Sequence, residues 1–108
     1  MRTTSLRLQV LNASGFDLDT EVIKLLEEKN LGKYYFVVVE QKNFSDSPIK
    51  ETLLLDRGGE KKLTRLVGEK LGMERENIIS QKLENNYLNI SYTLILGQDY
   101  QELLKQKD

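Results

Sequence analysis

Leu6-Arg7-Leu8-Gln9-Val10-Leu11-Asn12-Ala13-Ser14-Gly15 is the stretch that decides the fold class. Leu6, Leu8 and Val10 alternate with Arg7 and Gln9, a period of two that predicts a strand with one buried face. Asn12-Ala13-Ser14-Gly15 breaks that pattern with residues that favour turns. Leu18, Val22, Leu25, Leu26 and Lys29 then recur at helical spacing, with Ile23 beside the stripe. Asp17 or Asp19 suits the cap, because a carboxylate accepts from the orphan amides of a first turn. Gly32 suits a left-handed stop, so the first helix is expected over about 18–30.

The pattern repeats outward from there. Tyr34–Glu40 is a continuous β-branched and aromatic run, which predicts a strand covered on both faces and away from a sheet edge. Residues 43–48 read as a polar loop, and Glu51–Asp56 as a third strand around three leucines. Arg57-Gly58-Gly59 turns the chain into a second helix, with Leu63, Leu66, Val67 and Leu71 on one face and Gly72 as its stop. Asn77–Leu83 and Tyr87–Leu96 read as two strands joined by a tight hairpin at Asn85-Asn86, since Asn tolerates positive φ. Leu88, Ile90, Tyr92, Leu94 and Leu96 share one face of the last strand, and Asn89, Ser91 and Thr93 the other. After Gly97, Asp99-Tyr100-Gln101-Glu102 has a capping-box pattern that opens a short helix through Leu103 and Leu104. The order β-α-β-β-α-β-β-α predicts an α/β (α+β) domain, a mixed β-sheet with two main helices packed on it.

Composition excludes much chemistry. The chain has 108 residues, the size of one domain, with 16 basic and 17 acidic residues and a net charge of −1. It has no His and no Cys, which removes a Ser–His–Asp triad, a thiol nucleophile, an imidazole base, a disulfide framework and an ordinary zinc site. The charge balance supplies no global field toward nucleic acid or an acidic membrane. The longest apolar run, Tyr34–Val39, is far short of the roughly 20 residues of a spanning helix. The first residues lack the apolar centre of a signal peptide. The expectations are no nucleic-acid partner, no membrane insertion by this chain itself, no metal and no cofactor.

Each candidate site has a structural alternative. Asn12-Ala13-Ser14-Gly15 lies where a helix start holds phosphate, but it is neither a P-loop nor a dinucleotide fingerprint, and Asp17, Asp19 and Glu21 repel an anion there. Asn12, Ser14, Gly15, Gly58, Gly59, Gly97 and Asp99 are therefore read as turn and cap residues. Arg57, Lys61 and Lys62 beside two glycines are the better anion contact, weakened by Glu60, with solvated surface charge as the alternative. Residues 17–30 hold five acids and two bases, and residues 60–75 three acids and five bases, so neighbouring helices would attract. Tyr34, Tyr35, Phe36, Tyr87 and Tyr92 suggest base stacking, but without companion basic residues they read as core. Asp56, Asp99 and Glu40 stand near strand ends, each alone in sequence, as candidate acids or magnesium ligands.

Val10-Leu11-Asn12-Ala13-Ser14-Gly15, Leu31-Gly32, Gly58-Gly59 and Thr93-Leu94-Ile95-Leu96-Gly97-Gln98-Asp99-Tyr100 occur in an order and spacing that resembles the LytR C-terminal domain family. That family is an accessory domain of LytR–CpsA–Psr-type envelope proteins, and the resemblance covers about residues 6–100 of a single domain over 1–108. It implies an extracytoplasmic, non-catalytic module contacting cell-wall glycan or an envelope protein, and it carries no catalytic residue onto this chain. The family's first helix is rich in alanine, whereas this chain has Asp17-Leu18-Asp19-Thr20-Glu21-Val22-Ile23-Lys24 and begins without an anchor. The expected function is a binding or structural module of the bacterial cell envelope. The alternatives are a cytoplasmic homo-oligomer dimerising through the Asn89, Ser91 and Thr93 face or a sheet edge, and an enzyme using carboxylates or magnesium.

Overall fold

A computed structural model describes residues 3–17, 20–43 and 48–104. The first strand, β1 (Thr4–Asn12), alternates as its sequence requires: Leu6, Leu8, Val10 and Asn12 are buried, while Arg7, Gln9 and Leu11 are half-buried. The chain continues through α1 (Thr20–Glu27), β2 (Tyr34–Asn43), β3 (Leu53–Asp56) and α2 (Lys61–Lys70). A single 3-10 turn (Arg75–Asn77) leads into β4 (Ile78–Ser80), followed by β5 (Tyr92–Leu96) and α3 (Tyr100–Leu104). The element order is the predicted one, and the fold is a mixed five-stranded sheet with helices, an α+β arrangement.

The sheet runs β2-β1-β5-β3-β4. β1 pairs parallel with β2 across α1, and β3 pairs parallel with β4 across α2, which makes two β-α-β units. β5 joins them, parallel to β1 and antiparallel to β3. The two units therefore run in opposite directions. Asn12 pairs with Leu96 at the close of β5, whereas Asp56 pairs with Tyr92 at its start. The two strand-to-helix turns thus sit at opposite ends of the sheet.

One hydrophobic core lies beneath the helices. Val22 and Leu26 of α1, Val67 of α2 and Tyr100 and Leu104 of α3 pack with Leu8, Val10, Phe36, Leu54, Leu94 and Leu96. Full burial of such a side chain stabilises by about 1.5–3 kcal/mol. Gly72 holds the left-handed φ expected of a helix stop, +73°, whereas Gly32, at +69°, does not stop α1, which ends at Glu27, but lies in the tight turn that Tyr34 N–H closes on Leu31 O. Gly68 lets α2 lie close on the sheet, since a Cβ there would fall 2.5 Å from Ile78 Cδ1.

Several expectations are corrected. α1 ends at Glu27, so Lys29 lies beyond it, although it is buried. Leu18 and the candidate cap Asp19 lie outside the described residues, as do residues 44–47 of the expected polar loop. β3 begins at Leu53, two residues later than expected. β2 is an edge strand, not an interior one. Its core face is packed by Phe36, Tyr34 and Val38, but no further strand lies outside it, and a bulge opposite Leu8/Gln9 interrupts its ladder. Periodicity reports which faces are apolar and is silent about neighbours.

The hairpin at Asn85-Asn86 is absent, and the two final strands are shorter than expected. β4 and β5 do not pair; β3 lies between them. That position pairs Leu54, Leu55 and Asp56 of β3 along both edges, and Leu53 along the β5 edge. The Asn86 side chain instead closes a loop, donating to Ile90 O at 2.9 Å and accepting from Ile90 N–H at 2.8 Å. Positive φ falls on Asn89, at 54°. The Asn89, Ser91 and Thr93 face does not exist as a free surface: Asn89 and Ser91 precede β5, and Thr93 is fully buried. The helix most closely packed beside α1 is α3 rather than the oppositely charged α2.

Candidate functional site

Both strand-to-helix turns are organised by the last residue of the strand. In the first, Asn12 is buried and Oδ1 accepts from Ser14 Oγ at 2.6 Å and Ser14 N–H at 3.2 Å. Its Nδ2 donates to Phe16 O at 2.6 Å and to Asn43 Oδ1 at 3.0 Å, which ties the turn to the end of β2. Gly15 adopts φ +85° against Pro48. The predicted turn roles of Asn12, Ser14 and Gly15 are the ones these contacts describe. Asp17 is exposed.

The same end of the sheet is laced by two more segments. Ile49 N–H donates to Ala13 O, and Gln98 N–H to Ile49 O, each at 2.9 Å. Asp99 does not act as the side-chain cap of α3. Its Oδ1 accepts from Thr52 N–H at 2.9 Å and Thr52 Oγ1 at 2.7 Å, and Thr52 Oγ1 in turn accepts from Gly97 N–H at 3.0 Å. The physical reason is competition: the Thr52 donors are buried and have no water to bond, whereas the start of α3 keeps backbone bonds from Glu102 and Leu103 to Asp99 O. Gly97 is required by close approach, since a Cβ would lie 2.5 Å from the Glu51 carbonyl carbon.

The second turn uses a carboxylate. Asp56 is buried, and Oδ1 accepts from Gly58 N–H at 3.0 Å and Gly59 N–H at 2.9 Å. Oδ2 accepts from Thr64 Oγ1 at 2.7 Å. The amides that were expected to meet an external anion are thus occupied by the chain's own carboxylate, as in an Asx-turn. Thr64 Oγ1 also lies 3.1 Å from Tyr92 Oη. Burial pushes the Tyr92 hydroxyl up to about 12, opposed by the Thr64 hydrogen bond and reinforced by Asp56 and Glu60. Gly59 takes φ +81°.

The anion trio is separated. Arg57 donates from Nε to Thr93 Oγ1 at 3.0 Å and from Nη1 to Gln81 O at 2.9 Å, and burial lowers its pKa. Thr93 Oγ1 donates to Gln9 Oε1 at 2.8 Å, and Gln9 Nε2 donates to Glu40 Oε1. These bonds form a polar rail from β2 through β1, β5 and the end of β3 to the residue after β4. Lys62 is exposed and stands apart, whereas Lys61 borders a cavity of about 340 Å³ between α2 and β4. Arg65, Arg75, Glu69, Met73 and Ile78 also line it. A second cavity, about 270 Å³, touches Asp56 from the side of Asn86 and Ser91.

The candidate acids do not meet. Asp99 and Asp56 lie at opposite ends of the sheet, and Glu40 is bonded to Gln9. Among the described residues no group of three or more His, Cys, Asp or Glu side chains could hold a metal ion. No described helix is long and apolar enough to cross a membrane. Tyr34, Phe36 and Tyr92 face the core, and Tyr87 is exposed in the loop before β5.

Reading the sequence missed Thr52, Thr64, Arg65 and Arg75. Arg65 was findable, four residues after Lys61 and so on the same side of a helix. The Asp56-x-Gly58-Gly59 spacing also signals a carboxylate closing its own turn. Thr52 has no local signal, because its partner Asp99 is 47 residues away. Comparison with protein-family models, curated proteins and solved structures finds no match to this chain.

Proposed function

We propose that the chain is a non-catalytic binding module of the bacterial cell envelope that contacts cell-wall polymer or an envelope protein. One observation carries the non-catalytic part of this reading. Asn12, Asp56 and Asp99 are engaged with backbone and hydroxyl donors or acceptors of their own fold, at two separate ends of the sheet. Among the described residues, no buried side-chain nitrogen or oxygen lacks a partner. A general acid or base works best when its lone pair or proton is free to meet a substrate, and the bonds that hold Asn12, Asp56 and Asp99 in their turns support a structural role instead. The envelope location rests on the resemblance of the opening and closing motifs to the LytR C-terminal domain family.

Co-sedimentation with purified bacterial cell-wall sacculi tests both parts. The chain is expected in the pellet, with no soluble fragment released on mass spectrometry. A chain left in the supernatant overturns binding to cell-wall polymer, and released fragments overturn the non-catalytic reading.

The self-associating alternative draws on β2, ten residues long at a sheet edge. The Val38 amide of that strand donates to the Glu27 carboxylate of α1 at 3.2 Å, which blunts the edge. Light scattering at micromolar concentration discriminates the two readings: a monomer removes the alternative.

A further inference from the structure

From the cavity between α2 and β4 we infer a binding site for a small organic phosphate monoester. The site is independent of where the protein resides and of what its other surfaces contact. Lys61 and Arg65 stand one helical turn apart on α2, and Arg75 enters from the 3-10 turn before β4. None of these three cations forms an ion pair among the described residues. Two carboxylates share the lining, Glu69 and Asp56. Asp56 accepts from Gly58, Gly59 and Thr64, which fixes it on the turn, and its carboxylate still counts in the charge of the lining. Three cations against Glu69 and Asp56 leave the lining with a net charge of +1, opposite in sign to the charge of about −1.5 to −2 on a phosphate monoester at neutral pH.

The rest of the lining selects a phosphate ester over the bare ion. Met73 and Ile78 supply apolar walls, Ile78 packs against the core, and the volume of about 340 Å³ has room for a carbon body as well as the anion. Ser80 adds a hydroxyl at the β4 side. Two guanidinium groups suit the site, because each presents paired donors to phosphate oxygens. The second cavity is a poorer candidate: its one cation, Arg57, is bonded to Thr93 and Gln81.

The test is titration of the isotope-labelled chain with phenyl phosphate, inorganic phosphate and phenol, read by amide shifts. Phenyl phosphate is expected to shift Gly59, Lys61, Arg65, Met73 and Ile78 saturably, and to bind at least about tenfold more tightly than either other probe. Arg65→Gln and Arg75→Gln should each weaken it about tenfold without changing the thermal melt. Arg65→Lys should retain part of the affinity, since it keeps charge but loses the fork. Equal affinity for inorganic phosphate reduces the site to an adventitious ion only and overturns the inference. So does absence of saturable shifts, or full affinity in both glutamine variants.

Discussion

The turn at Asn12 and the turn at Asp56 do the same job at opposite ends of one sheet. Each closes the strand of a β-α-β unit and leads toward its helix, and each uses a short side chain to replace missing backbone bonds. They differ in who their neighbours are. Asn12 faces both kinds of partner: Ser14 donates to it, while Phe16 O and Asn43 Oδ1 accept from it. Asp56 faces only donors, two glycine amides and the Thr64 hydroxyl. An amide can give and receive, whereas an ionised carboxylate can only receive. The first turn is also sealed by the 48–52 and 97–99 segments, while the second borders two cavities. Similar local chemistry thus yields a closed end and an open one, and the open end carries the proposed ligand site.

Exchanging the two side-chain types tests this contrast most severely. Asn12→Asp places a buried carboxylate against Phe16 O and Asn43 Oδ1, two acceptors, and should destabilise by about 3 kcal/mol in urea unfolding. Gly97→Ala should cost about 2 kcal/mol by the same measurement, because the colliding atoms are Glu51 and Thr52 backbone in the sealed end and cannot yield as a side chain would. The reciprocal change, Asp56→Asn, should cost only about 1 kcal/mol: Oδ1 still receives both glycine amides, and Thr64 keeps Glu60 O as acceptor. If Asn12→Asp is no worse than Asp56→Asn, the contrast fails.

A pH series sharpens the picture at the open end. Tyr92 holds its proton in the fold up to about 12, whereas an unfolded tyrosine releases it near 10. Between those values the native state binds more protons than the unfolded one, so stability falls as pH rises. Below about pH 10 the contribution is fully present, and it is lost by about pH 12. Tyr92→Phe should remove this component of the alkaline decline while leaving the other ionisations in place, as read by urea midpoints across that window. The smallest expected effect is at the sheet edge. Glu27→Ala frees the Val38 amide and should raise self-association on light scattering, while Glu27→Gln, which keeps an acceptor, should remain nearer the parent chain.

Local residues carried much of this fold. The alternation of Leu6, Leu8 and Val10, the helical recurrence of Val22 and Leu26 and of Leu63 and Val67, and the positive-φ helix stop Gly72 all express contacts within one turn or one strand. The Asn12 turn was legible for the same reason. Asp99 was misread because its capping pattern is local but its strongest donors belong to Thr52, far along the chain. Arg57 was assigned to an anion for the same cause: the sequence displays the donor, and only the fold places Thr93 and Gln81 on it. The hairpin expectation failed because β3 competes for both of its strands, and no local signal ranks one partner above another.

The sequence by itself determined the element order, the buried stripes, the turn residues and the absence of imidazole and thiol chemistry, because those depend on backbone preference, side-chain period and composition. Tertiary structure alone decided that β5 lies between two opposed β-α-β units, that β2 is an edge, and that Lys61, Arg65 and Arg75 border one cavity. Those outcomes depend on which distant segments bury one another's apolar faces and satisfy one another's donors, a competition that short-range pattern does not record.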